Sequence, residues 1–104
     1  MDEIKAQSEL TKLHEIFSNY QYNVNGAINC VNEYKNNQVF NQNLYMNFRE
    51  SVSKIKPQLQ EGLEGLFKLS GVGKAIKDEI KMFDSEVKNY IKTSANILIN
   101  ILEK

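Results

Sequence analysis

Cysteine, proline and tryptophan are nearly missing from this chain: 104 residues hold one Cys, one Pro and no Trp. A single thiol cannot close an internal disulfide, which removes the small, stapled secreted domains. Thirteen Lys and Arg balance thirteen Asp and Glu. That balance excludes a strongly basic nucleic-acid arm and an acidic solubilising tail. No stretch of about 18 apolar residues occurs, so no membrane span is expected. The start, Met1-Asp2-Glu3-Ile4-Lys5, lacks the basic opening and apolar middle of a signal peptide. The expectation is an intracellular protein with no membrane partner. What is present is 41% hydrophobic residues, enough to argue against global disorder. The length suits one small domain.

The apolar residues recur at helical spacing. Leu10, Leu13, Phe17, Tyr20, Val24, Ala27, Val31 and Tyr34 step by three and four, the seam of an amphipathic helix or coiled coil. The pattern predicts a helix over about 3–35. Asn25-Gly26 is a hairpin signal, but a turn there would mix polar and apolar residues on each face. A helix is expected instead, with Gly26 as a position that can bend or interrupt it at a cost of about 1 kcal/mol relative to Ala. Lys35-Asn36-Asn37-Gln38 and Asn41-Gln42-Asn43 favour a connection, with Val39 and Phe40 expected to tuck under the bundle. A second seam runs through Tyr45, Phe48, Val52, Ile55, Leu59, Leu63, Leu66 and Leu69. Pro57 interrupts it and predicts two helices, 44–56 and 58–69. Residues 70–73 form a glycine-rich hairpin. Ile76, Ile80, Phe83, Val87, Tyr90, Ile97 and Ile101 predict a last helix over about 74–102. The spacing would also allow one continuous helix from Tyr45 to Ile101. Pro57, Gly71 and Gly73 argue against it. The fold class is an all-α, single-domain helical bundle.

One segment offers chemistry. In Leu69-Ser70-Gly71-Val72-Gly73-Lys74-Ala75-Ile76-Lys77, two glycines allow a tight turn and a close backbone approach. The helix that follows presents unpaired N–H groups and a partial positive charge, which suit an anion. Lys74 and Lys77 lie in its first turn. Val72 is placed to anchor the hairpin between the helices, with Leu69, Ile76 and Ile80.

This stretch resembles the helix-hairpin-helix motif of DNA-repair and replication proteins. It is most similar to the N-terminal lyase domain of family-X DNA polymerases, the DNA polymerase beta type. The likeness covers about residues 44–83. It includes Phe48-Arg49 on a helix ending before Pro57, Gly62-Leu63-Glu64-Gly65-Leu66 leading to the hairpin, and Phe83 after it. Ser70 stands where the motif has Pro. The resemblance implies that backbone amides near Gly71 and Gly73 hold a DNA phosphate. It implies that carbonyls of Phe67, Leu69 and Val72 bind a monovalent cation, and that Lys74 and Lys77 lie beside the backbone. Glu79 occupies the place of the family's Schiff-base lysine, and a carboxylate cannot form that imine. Lys77 and Lys81 lie about one turn away. No polymerase domain accompanies the motif. The implied protein is therefore non-catalytic, with a monovalent cation as its one possible cofactor.

Electrostatics bounds such binding. From Arg49 to Lys81, seven cations (Arg49, Lys54, Lys56, Lys68, Lys74, Lys77, Lys81) face five anions (Glu50, Glu61, Glu64, Asp78, Glu79). Contact with DNA is thus expected to be weak, salt-sensitive and indifferent to base sequence. Gly73-Lys74 is no nucleotide-hydrolase phosphate loop, since Lys68 stands at the position of its first Gly and no strand precedes it. His14 has no second ligand at helical spacing and reads as a surface residue. Cys30 reads as a small packed residue, and Phe17, Tyr20 and Tyr34 as core. No nucleophile–base set or carboxylate pair can be assigned. Residues 18–48 carry only Glu33 and Lys35 as charges, which suits a solvated polar face or a protein-contact face. The alternative function is accordingly a helical interaction protein, a homodimer or a partner-helix binder using its first and last seams. The length also resembles the small helical proteins of type VII secretion, although Phe40-Asn41-Gln42 stands where their Trp-x-Gly turn belongs.

Overall fold

The computed structural model describes residues 2–103. It has three helices and, among those residues, no strand: α1 (Asp2–Asn37), α2 (Gln42–Phe67) and α3 (Lys74–Glu103). None is long and apolar enough to cross a membrane. At about 1.5 Å per residue, 36 residues of α1 span about 54 Å, the 54 Å long axis of the molecule. α1 is the spine. α2 runs antiparallel to it, with Phe48 facing Gly26 and Leu13 facing Gly62. α3 returns parallel to α1, with Phe83 against Phe17 and Tyr90 against Tyr20.

The seam of α1 supplies the shared core. Leu10, Leu13, Phe17, Tyr20 and Val24 are buried against Ile55, Leu59, Leu63 and Leu66 of α2 and Ile76, Ile80, Phe83 and Val87 of α3. Each such side chain contributes about 1.5–3 kcal/mol by leaving water. Edge-to-face contacts of Phe17 with Phe83 and Tyr90, at 5.6 and 5.5 Å between centroids, add about 0.5–1.5 kcal/mol each.

The α1–α2 turn is closed locally. Gln38 takes a left-handed φ of 59°, and its N–H donates to the Tyr34 carbonyl at 2.8 Å, which terminates α1. The Leu44 N–H then donates to Asn41 Oδ1 at 3.0 Å, an N-cap for α2.

Three expectations need correction. Pro57 does not divide the second segment; α2 continues through it for 26 residues. A helix-interior proline costs about 3 kcal/mol. Ile55 before it and Leu59, Leu63 and Leu66 after it are all buried in the core shared with α1, and only an unbroken helix keeps them on one face. The helix expected through Asn25-Gly26 is observed, and α1 is unbroken at Gly26. That glycine lets Phe48 approach, since a Cβ there would lie 2.5 Å from that ring. Val39 and Phe40 are not tucked in: they are 61% and 42% exposed, and Phe40 instead packs its ring on Tyr34 and Tyr45 at the end of the bundle. Finally, Tyr34 and Ile97 leave the core. The buried line of α3 passes through Val87 and Ser94, so Ile97 is rotated outward.

The glycines of α2 make a paired test. At Gly65 an added Cβ meets nothing within 4 Å, whereas at Gly62 it would overlap the buried Leu13 side chain. Gly65→Ala is expected to raise stability by about 1 kcal/mol through helix propensity. Gly62→Ala is expected to fall below the parent, because overpacking costs about 1–3 kcal/mol. Urea unfolding of both variants checks the order.

Candidate functional site

The first candidate is the α2–α3 hairpin. α2 tightens as it ends: the Lys68 N–H donates to the Gly65 carbonyl at 3.3 Å and the Leu69 N–H to the Leu66 carbonyl at 3.2 Å. Gly71 then adopts a φ of 71°, which costs an L residue about 1–2 kcal/mol and explains glycine there. Val72 is buried and Leu69 half-buried against the core, so the hairpin is pinned at its apex. The Gly73 carbonyl accepts the Lys77 N–H at 3.0 Å, the first helical bond of α3.

Lys74 and Lys77 are exposed, as are Phe67 and the interleaved Asp78, Glu79 and Lys81. The structure therefore gathers Gly71, Val72, Gly73, Lys74 and Lys77 into one short segment, with Phe67 and Leu69 just before it. It also brings in a residue the sequence did not connect to them. The Glu3 carboxylate lies beside Gly73, so that a Cβ on Gly73 would sit 2.8 Å from Glu3 Oε1. A negative charge of the chain itself already stands next to the amino end of α3, where an anion would be drawn.

The second candidate is a groove. α2 and α3 both pack on α1 and scarcely on each other. Three helices in a closed triangle, spaced about 9 Å apart, would give a Cα cross-section of about 14 by 13 Å; this one measures 22 by 14 Å. The open side is floored by Val24 and Ile28 of α1 and walled by Val52 of α2 and by Ile91 and Leu98 of α3. Toward the α1–α2 turn it continues past Val31, Tyr34, Tyr45 and Leu102.

The α2 edge of this groove carries Arg49 and Lys56. The Arg49 guanidinium donates to the Tyr45 hydroxyl at 3.1 Å and lies 5.8 Å from the centre of that ring. The ion pairs of the described residues are Lys12–Glu9, Lys54–Glu50 and Lys88–Asp84; neither groove cation takes part in one. These two residues were not singled out as a pair from the sequence. Their spacing of seven, with Val52 between, was the available signal, since it puts all three on one side of a helix.

Other residues fall where chemistry is scarce. His14 is exposed and packs on the Phe83 ring at 4.2 Å. Cys30 is buried. Among the described residues no group of three His, Cys, Asp or Glu is placed to hold a metal ion. The first-seam residues Leu10, Leu13, Phe17, Tyr20, Val24 and Val31 are covered within the chain.

Burial in the groove floor holds the Tyr20 phenol above its ordinary value of 10.0. Desolvation, and then the neighbouring Tyr20 phenol, raise Tyr90 as well. The folded state thus favours both neutral phenols. Their contribution is complete below pH 10 and is lost as the pH rises from there through the raised values. Urea stability is expected to fall above pH 10, and the Tyr20→Phe/Tyr90→Phe variant is expected to lose less over the same range.

Comparison with family models, with curated proteins and with solved structures finds no match to this chain.

Proposed function

We propose that this chain is a non-catalytic helical interaction protein that receives one helix of another protein in the groove between α2 and α3. The single observation behind this is how little α2 and α3 touch each other compared with how much each touches α1. A helix whose apolar side meets nothing is normally covered. Here Val52, Ile91 and Leu98 line the open side, while Ile99 and Leu102 extend the exposed apolar surface along α3. Such a surface suits helix-in-groove recognition, in which anchors at i, i+3 or i+4 and i+7 enter one after another. The low charge of residues 18–48 fits the same use, because the centres of interfaces are depleted in charge.

The test is direct. A neutral amphipathic probe helix of about 18 residues, with Leu anchors, Gln elsewhere and a nitroxide label, is added to the full chain. It is expected to broaden the methyl signals of Val52, Ile91 and Leu98 and to spare Ala6 and Leu10. Broadening spread evenly over the surface, or none at all, would refute the groove.

A second reading is favoured by the hairpin, where Gly71 is left-handed, Val72 is buried and Lys74 and Lys77 are exposed. These features suit a helix-hairpin-helix like that of the family-X polymerases, gripping the DNA backbone through Gly71, Val72, Gly73, Lys74 and Lys77. A monovalent cation on the carbonyls of Phe67, Leu69 and Val72 would belong to that reading. Against it stand the zero net charge and the Glu3 carboxylate beside Gly73. Fluorescence anisotropy with gapped duplex DNA at two salt concentrations decides the matter. Salt-sensitive binding abolished by Lys74→Glu supports the hairpin; binding that is absent at low salt, or indifferent to Lys74, removes it.

A further inference from the structure

We infer that the helix accepted by the groove is an acidic one, with carboxylates along the edge that meets Arg49 and Lys56. This rests on the groove reading above and adds the chemistry of the partner.

Arg49 and Lys56 are seven residues apart on α2, which places them about 10.5 Å apart along one edge of the groove. Val52 and Ser53 between them are uncharged, and so are Ile91, Ser94, Ala95 and Leu98 of the opposite wall. Lys56 is half-buried and, like Arg49, belongs to none of the ion pairs of the described residues. Farther toward the hairpin the lining turns acidic, with Glu64 and Asp84 against Lys88, which is already paired with Asp84 at 2.9 Å. One half of the groove therefore carries two cations and no anion among its lining residues. A helix laid beside them gains from carboxylates two turns apart, flanking its apolar stripe. Arg49 is suited to receive one, because its planar fork can hold both carboxylate oxygens. Its contacts with Tyr45 hold the guanidinium at the groove edge beforehand, which reduces the ordering needed on binding.

The same charges argue against a second copy as the occupant. The most exposed apolar stretch this chain could offer is the end of α3, with Ile97, Ile99 and Leu102. Between Glu86 and Glu103 that helix has no carboxylate and two lysines, Lys88 and Lys92. Docked in the groove of another molecule, it would offer Arg49 and Lys56 no carboxylate.

The experiment uses the full chain and three versions of the probe helix, with identical Leu anchors and Glu, Gln or Lys at the edge positions. The Glu-edged probe is expected to bind at least about tenfold tighter than the Lys-edged one at low salt, with the difference shrinking as salt is added. Arg49→Glu/Lys56→Glu is expected to invert that order. Arg49→Gln/Lys56→Gln is expected to erase it, with all three probes still binding and binding alike, which separates charge from folding. Equal binding of all three probes would overturn the acidic partner and leave the groove standing. Failure of all three would overturn the groove itself. A dimer in sedimentation equilibrium that dissociates when Ile91→Asp is introduced, and that excludes every probe, would make the second copy the occupant and overturn the inference.

Discussion

Everything in this fold depends on α1 being sticky along two adjacent lines at once. Its seam from Leu10 to Val31 is buried, and it is the one surface that both other helices share. α2 and α3 do not hold each other in place; each is positioned by what it meets on α1. Leu13 meets Gly62 and Phe17 meets Phe83, which sets register at the hairpin end. The two outer helices stand partly apart, because few α2–α3 contacts draw them together. The open groove is therefore a consequence of how the core is distributed, with most apolar burial near the hairpin and exposed apolar side chains collecting at the α1–α2 turn.

That distribution also divides the molecule by chemical character. The hairpin end carries alternating charges, including Lys74, Lys77, Asp78, Glu79 and Glu3, and tight glycine geometry. The other end carries aromatic rings in contact with one another, Tyr34 with Phe40 and Phe40 with Tyr45, and few charges. Arg49 and Lys56 stand at the boundary. Charges flanking an apolar surface add selectivity and association rate more than affinity, and their placement beside Val52 suits recognition better than it suits stability.

The helical content, the glycine break and most core positions were legible in the sequence, for a shared reason. Periodicity of three and four reports which residues face one way on a helix, and Leu10, Phe17, Leu59, Ile80 and Phe83 all face the core. Gly71 in a turn was legible because a left-handed φ is cheap for glycine alone. Pro57 misled because a local rule was applied without the competing quantity: the joint burial of Ile55 and Leu59 outweighs one lost hydrogen bond and a steric clash. The roles of Gly26 and Gly62 were not legible for another reason. Their purpose is to admit Phe48 and Leu13, which lie 22 and 49 positions away. Nothing in the neighbouring residues records an approach of that kind.

The amino-acid sequence by itself determined that this protein is all-α, where its chain leaves the helix between Phe67 and Lys74, and which stripe of each helix seeks burial. These follow from short-range sterics and from the period of the apolar residues, both written within a few turns. Only the tertiary structure decided that α2 and α3 stand apart on α1, that Glu3 lies beside Gly73, and that Arg49 and Lys56 edge an apolar groove. Those facts depend on how three stripes share one spine. An amphipathic pattern states that a face must be covered, and the packing of the other helices states how much of it remains open.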